Sequence, residues 1–267
     1  MHPLIFILFL FSNVGPTLSN GKTFTVLLAG QSNMAGRGGV KGGVWDRFVP
    51  PESIPAIPDS VIRLAPNYTW EPAAEPLHRG IDITVKEQHL GIGPGLPFAT
   101  ALLRRVDPSN TGAATVALVP AAMGGSHILQ WQRGSSYYLN LLARAEAARS
   151  SLGPIAGMLW YQGESDTVSP HLAAAYGHRL QKFFNSLRAD LAMPQLPIIQ
   201  VALASGNLNQ TAPRDLETVR SAQLDLGMAG VRCVDAMGFS LEPDNTHLTT
   251  AAQVKLGQLL ADAFLQP

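Results

Sequence analysis

Five mostly apolar runs, at residues 24–29, 115–119, 155–161, 197–203 and 231–235, are each too short for a helix and rich in β-branched or aromatic residues. Apolar runs of this length without alternation belong in strands covered on both faces. Longer segments with helical signals lie between and after them. One runs over residues 96–103 with Pro97 near its start. Another follows Ser135-Ser136 through Tyr138, Leu141, Leu142, Ala145 and Ala148. A third has Ser169 as N-cap and Pro170 at the first helical position and reaches about residue 190. Residues 213–226 read as a helix ended by Gly227, and Thr250-Ala251-Ala252-Gln253 reads as the capping box of a last helix running to residue 264. Strands alternating with helices predict a three-layer α/β fold around a five-stranded parallel sheet. In such a sheet, reacting groups collect where the strands end.

Polar and glycine-rich segments stand at those ends. Gly30-Gln31-Ser32-Asn33-Met34 follows the first run, so Gly30 permits a sharp turn and Ser32 is presented at a carboxyl end. Taken alone, the pentapeptide reads better as a polar turn, and it is the motifs at the ends of the later strands that reverse this preference. Gly124-Gly125-Ser126 follows the second run, and paired glycines expose backbone N–H groups in the way an oxyanion hole requires. Gln162-Gly163-Glu164-Ser165-Asp166 follows the third. Asp244-Asn245-Thr246-His247 precedes the last helix, where a carboxylate can orient an imidazole that takes a proton from serine; the alternative is a pair of helix-entry polar residues.

Other features narrow the function. Residues 4–11 form an apolar run well short of a membrane span and are followed by a small polar stretch, so residues 1–20 read as a cleavable signal peptide ahead of one domain at 21–267. A secreted, extracellular protein of the cell wall is expected. The 19 basic residues balance 19 acidic ones without a basic block, which argues against nucleic acid and, after signal cleavage, against a membrane surface. Cys233 is the only cysteine, so no intramolecular disulfide can form. With the histidines scattered, no metal site and no cofactor is expected. Gly91-Ile92-Gly93-Pro94-Gly95 lacks both nucleotide-binding glycine patterns. The proline-rich stretch between Val40 and Leu90 reads as a long loop beside the active site; Trp45, Tyr68 and Trp70 could stack on sugars there, though packing under the loop is the better reading for each residue taken singly. Asn67 and Asn209 begin N-glycosylation triplets.

Gly-Gln-Ser-Asn-Met after the first strand, Gly124-Gly125 after the second, Trp160-Tyr161-Gln162-Gly163-Glu164-Ser165-Asp166 after the third and Asp244-x-x-His247 before the last helix, in this order, resemble the SGNH-hydrolase superfamily. The similarity is to its carbohydrate-esterase branch, which includes sialate O-acetylesterase-like domains and plant acetylxylan-esterase-like proteins. This resemblance implies a flavodoxin-like fold and a serine esterase that removes O-acetyl groups from a glycan through an acyl-enzyme. It further implies Ser32 as nucleophile, His247 as base and acid, Asp244 as its orienter, and an oxyanion hole made by the Ser32 N–H, the Gly125 N–H and the Gln162 side chain. Met34 stands where the second glycine of a Gly-x-Ser-x-Gly elbow would be, which disfavours the α/β-hydrolase fold. Glu164, Arg37 and Trp131 are candidate substrate contacts, with His127 and Asp166 as further candidates for contact or support. A monomer is expected. Two other functions compete: a lipid or thioester hydrolase of the same fold, and an inactive glycan-binding wall protein.

Overall fold

The computed structural model describes residues 21–206 and 215–266. The expected signal peptide and Asn209 lie outside them. The five expected strands are present as β1 (Lys22–Gly30), β6 (Ala114–Pro120), β7 (Ile155–Tyr161), β8 (Ile198–Ala202) and β9 (Val231–Asp235). The sheet itself has seven strands, which corrects the expected five. The added pair, β4 (Val61–Leu64) and β5 (Trp70–Pro72), comes from the proline-rich stretch, which also holds a two-stranded hairpin of β2 (Val40–Lys41) and β3 (Val44–Trp45). The order is β5-β4-β6-β1-β7-β8-β9, and every neighbouring pair is parallel except β4 with β5.

β4 is fully buried yet contains Arg63, and that charge hides the strand in the sequence. Arg63 can be buried because its Nε donates to Glu71 on β5 at 2.7 Å and its Nη1 to the carbonyl of Leu77 at 2.6 Å. A buried cation is tolerated when paired and hydrogen-bonded.

Alternation along β7 sorts the helices into two layers. Trp160 packs on Phe183 of α4 (Pro170–Asp190), with ring centroids 4.7 Å apart. Gly157, of opposite parity, faces α6 (Thr250–Leu265): a β-carbon there would stand 2.7 Å from the Phe264 ring. α6 in turn lies against α2 (Gly95–Val106), whose Phe98 meets Phe264 edge to face. α3 (Ser136–Leu152) packs on β1, β6 and β7, and α5 (Leu216–Leu224) packs against α4.

Ser135 and Ser169 cap α3 and α4 as the sequence suggests, each accepting a backbone N–H two residues inside the helix start. Two helix ends differ from expectation. α5 stops at Leu224 rather than continuing to 226, and residues 213–214 lie outside the described segments. The cap of α6 is Thr249, not Thr250: its side chain accepts the Ala252 N–H, and Gln253 reaches instead to Asn33 in the site below.

Candidate active site

Because the central strands are parallel, the segments after β1, β6 and β7 and the loop after β9 share one edge of the sheet. Gly30 makes the turn out of β1. Its φ is +132°, and a β-carbon there would lie 2.1 Å from the Tyr161 carbonyl oxygen, so only glycine leaves β1 against β7 at this point. Ser32 then opens α1 (Ser32–Ala35), a single turn, and is 6% exposed.

The loop after β9 carries Asp244 and His247. Asp244 Oδ1 accepts the backbone N–H groups of Thr246 and His247, each at 2.9 Å, while Oδ2 lies 2.6 Å from His247 Nδ1. His247 Nε2 lies 2.8 Å from Ser32 Oγ. Partial burial pushes the Asp244 carboxyl upward, but the bonds from the His247 ring and from the two backbone N–H groups outweigh it and hold its pKa down at about 2. The carboxylate is therefore ionised at neutral pH.

Asn33 sets the distance between the two halves. Its Nδ2 donates to the Thr246 carbonyl at 3.2 Å, and its Oδ1 accepts the Leu248 N–H at 2.9 Å, so one side chain grips the residues on either side of His247. The same Nδ2 donates to Glu164 Oε1 at 2.7 Å, and Gln253 Nε2 donates to the Asn33 carbonyl at 3.0 Å. Asn33 was not among the candidate site residues. Its only sequence signal is a place next to Ser32, since its partners are more than 130 positions away.

Glu164 lines the cavity in front of Ser32, while its Oε2 has no partner among the described residues. Burial raises its pKa from 4.5 to about 7, the Asn33 bond and the attraction of His247 opposing and the Asp166 charge assisting. The folded protein therefore holds a proton here that the unfolded chain has already released. This contribution to stability is full below about pH 4.5 and is lost as pH rises through about 7, a span worth on the order of 3 kcal/mol. Glu164→Gln keeps an oxygen for Asn33 and removes the ionisation. Its thermal midpoint relative to the native chain is expected to climb between pH 5 and pH 8, and an offset independent of pH would contradict this.

The glycines after β6 are held from the proline-rich stretch. Asp82 Oδ1 accepts the Gly124 N–H at 3.1 Å, and Oδ2 takes Arg37 Nη2 at 2.7 Å in a buried ion pair. Burial alone would raise the Asp82 pKa; the Arg37 charge and bond, with the Thr84 hydroxyl, lower it instead. A β-carbon on Gly124 would come within 2.7 Å of Arg37 and Thr84. Gly125 has φ of +66° and open space around its α-carbon, and its N–H has no partner among the described residues. Asp82 is a further residue that sequence reading missed, its signal being no more than an Asp-x-Thr turn.

A cavity of about 430 Å³ lies over Ser32, walled by Gln31, Arg37, Gly125, Glu164, Asp244 and His247 among others. A second, of about 330 Å³, shares Arg37, Val85, Asp244 and His247 with it and extends past the β2–β3 hairpin to Lys41 and His89.

Two expected site residues are elsewhere. Trp131 is fully buried, stacked edge to face on Trp160 at 5.2 Å with its Nε1 donating to Ser126 Oγ, so it is part of the core and cannot touch a substrate. Gln162 is also fully buried and does not line the cavity. Its Nε2 is directed at Asp166 Oδ2 at 2.7 Å, the Ser126 carbonyl at 2.8 Å and Gln31 Oε1 at 3.2 Å, which leaves neither hydrogen for an oxyanion. Asp166, its carboxyl pushed up by burial, braces Gln162 and the Ile128 N–H, and His127 stands 3.9 Å from its other oxygen. Neither cavity is lined by Trp45, Tyr68 or Trp70. Trp70 bonds Ser151, and Tyr68 covers the Arg144 guanidinium. Asn67 is exposed in the turn joining β4 to β5.

Residues 22–266 match the family model described as carbohydrate esterase, sialic acid-specific acetylesterase. A relative in Arabidopsis thaliana, "Probable carbohydrate esterase At4g34215", is 46% identical over 245 residues, covering 90% of this chain and 89% of that protein. The X-ray structure of the Arabidopsis protein superposes with a TM-score of 0.83 at 45% identity, over 92% of this chain and 98% of that one. The fold is shared at 18% identity with XAC1771, a carbohydrate acetylesterase from Xanthomonas citri, with a TM-score of 0.60 over 89% of this chain and 55% of that one.

Proposed function

Since the chain belongs to the carbohydrate esterase, sialic acid-specific acetylesterase family, we propose that it is a serine esterase that removes O-acetyl groups from a polysaccharide such as cell-wall xylan, acting outside the cell. The observation that carries the reading is the run of contacts from Asp244 through His247 to Ser32, at 2.6 and 2.8 Å, opening into a cavity with a second one beside it past Arg37 and His247. Space over the reacting serine and beyond His247 suits a sugar chain that extends past its acetylated unit. Amide, hydroxyl, carboxylate and guanidinium groups stand in the walls beside Val40, Val85 and Pro243, which is not the long apolar groove that a fatty acyl chain would need.

In this reading Ser32 Oγ bonds to the acetyl carbon as its proton passes to His247 Nε2. Asp244 holds Nδ1–H and stabilises the imidazolium. The carbonyl oxygen becomes an oxyanion facing the Ser32 and Gly125 N–H groups. Its collapse breaks the bond to the sugar oxygen, which takes the proton from His247 and leaves as a free hydroxyl. Water then attacks acetyl-Ser32, giving its proton to His247, and acetate departs as Ser32 Oγ regains a proton.

Acetate release from acetylated xylan, other acetylated polysaccharides and acetylated sialic acids, alongside model esters of increasing chain length, tests the proposal. Xylan is expected to lead the panel, and two-carbon esters to be cut in preference to eight-carbon ones. Release confined to sialic acids would replace the substrate, and a preference for long acyl chains would overturn the esterase class.

A further inference from the structure

The second cavity is walled on one side by the β2–β3 hairpin. Gly42 and Gly43 make the hairpin turn with φ of +57° and +76°, the left-handed pair that a two-residue turn between antiparallel strands favours. Gly39, at the foot of the hairpin, donates its N–H to Glu242 Oε1 at 2.8 Å, two residues before Asp244. At the tip, Gly43 lies against His89, whose ring a β-carbon there would approach to 3.4 Å. The hairpin is thus tied to the histidine loop, and the backbone of Lys41 is held beside the cavity.

Among the described residues, the titratable side chains lining this cavity are Arg37, Lys41, His89, Asp244 and His247. Arg37 is paired with Asp82 at 2.7 Å, and Asp244 with His247 at 2.6 Å. Lys41 and His89, both basic, have no side-chain partner among the described residues. The carboxylates on neighbouring segments are engaged elsewhere and do not line the cavity: Asp46 accepts the Phe48 N–H at 2.9 Å, Glu242 that of Gly39, and Glu87 stands 3.8 Å from Arg79. The uncompensated charge of the cavity is therefore positive, and it favours an anion. In the proposed reaction the sugar oxygen leaves with a proton from His247 Nε2, so the sugar passes beside His247, which lines both cavities. With the acetyl group over Ser32, the rest of the glycan reaches the second cavity, where Val40, Val85 and Pro243 offer apolar surface to a sugar ring.

We propose that the second cavity is a subsite for a carboxylate-bearing sugar, a uronate carried by the polysaccharide next to its acetylated unit, and that Lys41 is the residue that selects it; this rests on the deacetylation proposed above. The ammonium group supplies specificity by meeting a carboxylate that a neutral glycan lacks, and it takes no part in the bond-breaking step.

Acetate release from acetylated xylo-oligosaccharides bearing a glucuronate branch, compared with the same fragments carrying that glucuronate as its methyl ester, tests the assignment, since esterification removes the charge and keeps the sugar. The native chain is expected to prefer the free acid by about three- to fivefold in kcat/KM, the difference lying in KM, and the preference is expected to fade as salt rises to about 0.5 M. Lys41→Gln is expected to bring the ratio of acid to ester to about one, and Lys41→Glu to invert it. Lys41 is exposed, so both variants are expected to fold, and the ratio corrects for any general loss of activity. A native ratio near one with both fragments cut, or a preference that survives in Lys41→Glu, would overturn the subsite and leave the deacetylation standing. Acetate released from neither fragment would overturn both. Acetylated sialic acids and their methyl esters form the second arm: a Lys41-dependent preference found there and absent from the xylan fragments would put the carboxylate on the acetylated unit itself and overturn the uronate.

Discussion

Ser32→Ala is expected to lower kcat by about 10⁵–10⁶-fold and to abolish the acyl-enzyme, with the thermal midpoint essentially unchanged. Alanine removes the one atom that bonds to the acetyl carbon and fits the same space at the start of α1 without disturbing the Gly30 turn. The residual rate comes from donors that still polarise the carbonyl for attack by water. Mass spectrometry of the quenched enzyme with a slow acetyl or phosphonate substrate checks this. A covalent adduct on the alanine variant, or turnover near that of the native chain, would place the nucleophile elsewhere.

Asp244→Asn is expected to cost about 10³–10⁴-fold in kcat, and for a different reason. Asparagine preserves the oxygen that accepts from Thr246 and His247, so the loop keeps its shape. Its amide then faces His247 Nδ1, which must turn from donor to acceptor. The ring proton moves to Nε2, the nitrogen 2.8 Å from Ser32 Oγ, and the serine loses its base. Raising the pH does not restore activity, because the defect is the tautomer and not the charge. A variant whose rate recovered fully at high pH would show instead that Asp244 acts by electrostatics alone. Alanine at the same position would confuse the two effects by releasing the loop.

Legibility from sequence followed the range over which each interaction acts. The central strands could be read because a strand buried on both faces must be apolar along its length, and their glycine ends because backbone geometry is local. Gly-Gln-Ser-Asn-Met, Gly124-Gly125 and Asp244-x-x-His247 stood out since each is a short segment whose chemistry is visible in its own residues. β4 was lost because a buried arginine broke the apolar pattern, and its compensation by Glu71 and by the carbonyl of Leu77 exists only in three dimensions. Trp131 was misplaced for a related reason: an indole after a glycine turn suits a sugar platform or a core equally, and the aromatic cluster of β7 and α4 decided for the core.

The sequence by itself determined that this chain builds a mainly parallel α/β sheet with its glycine turns and polar motifs at strand ends, since burial and backbone freedom are properties of short segments. Only the tertiary structure decided which side chains among those motifs face the cavity. Gln31 and Gln162 are both strand-end amides, and nothing in their spacing ranks one over the other. Their surroundings separate them: Asp166 and the Ser126 carbonyl take up the hydrogens of Gln162 in the interior, while Gln31, its oxygen bonded by the backbone N–H groups of Gly163 and Ser165, lines the cavity. Likewise Asn33 joins the serine to the histidine loop through bonds spanning more than 200 residues, an arrangement that exists only once the sheet has brought both ends of the chain to one edge.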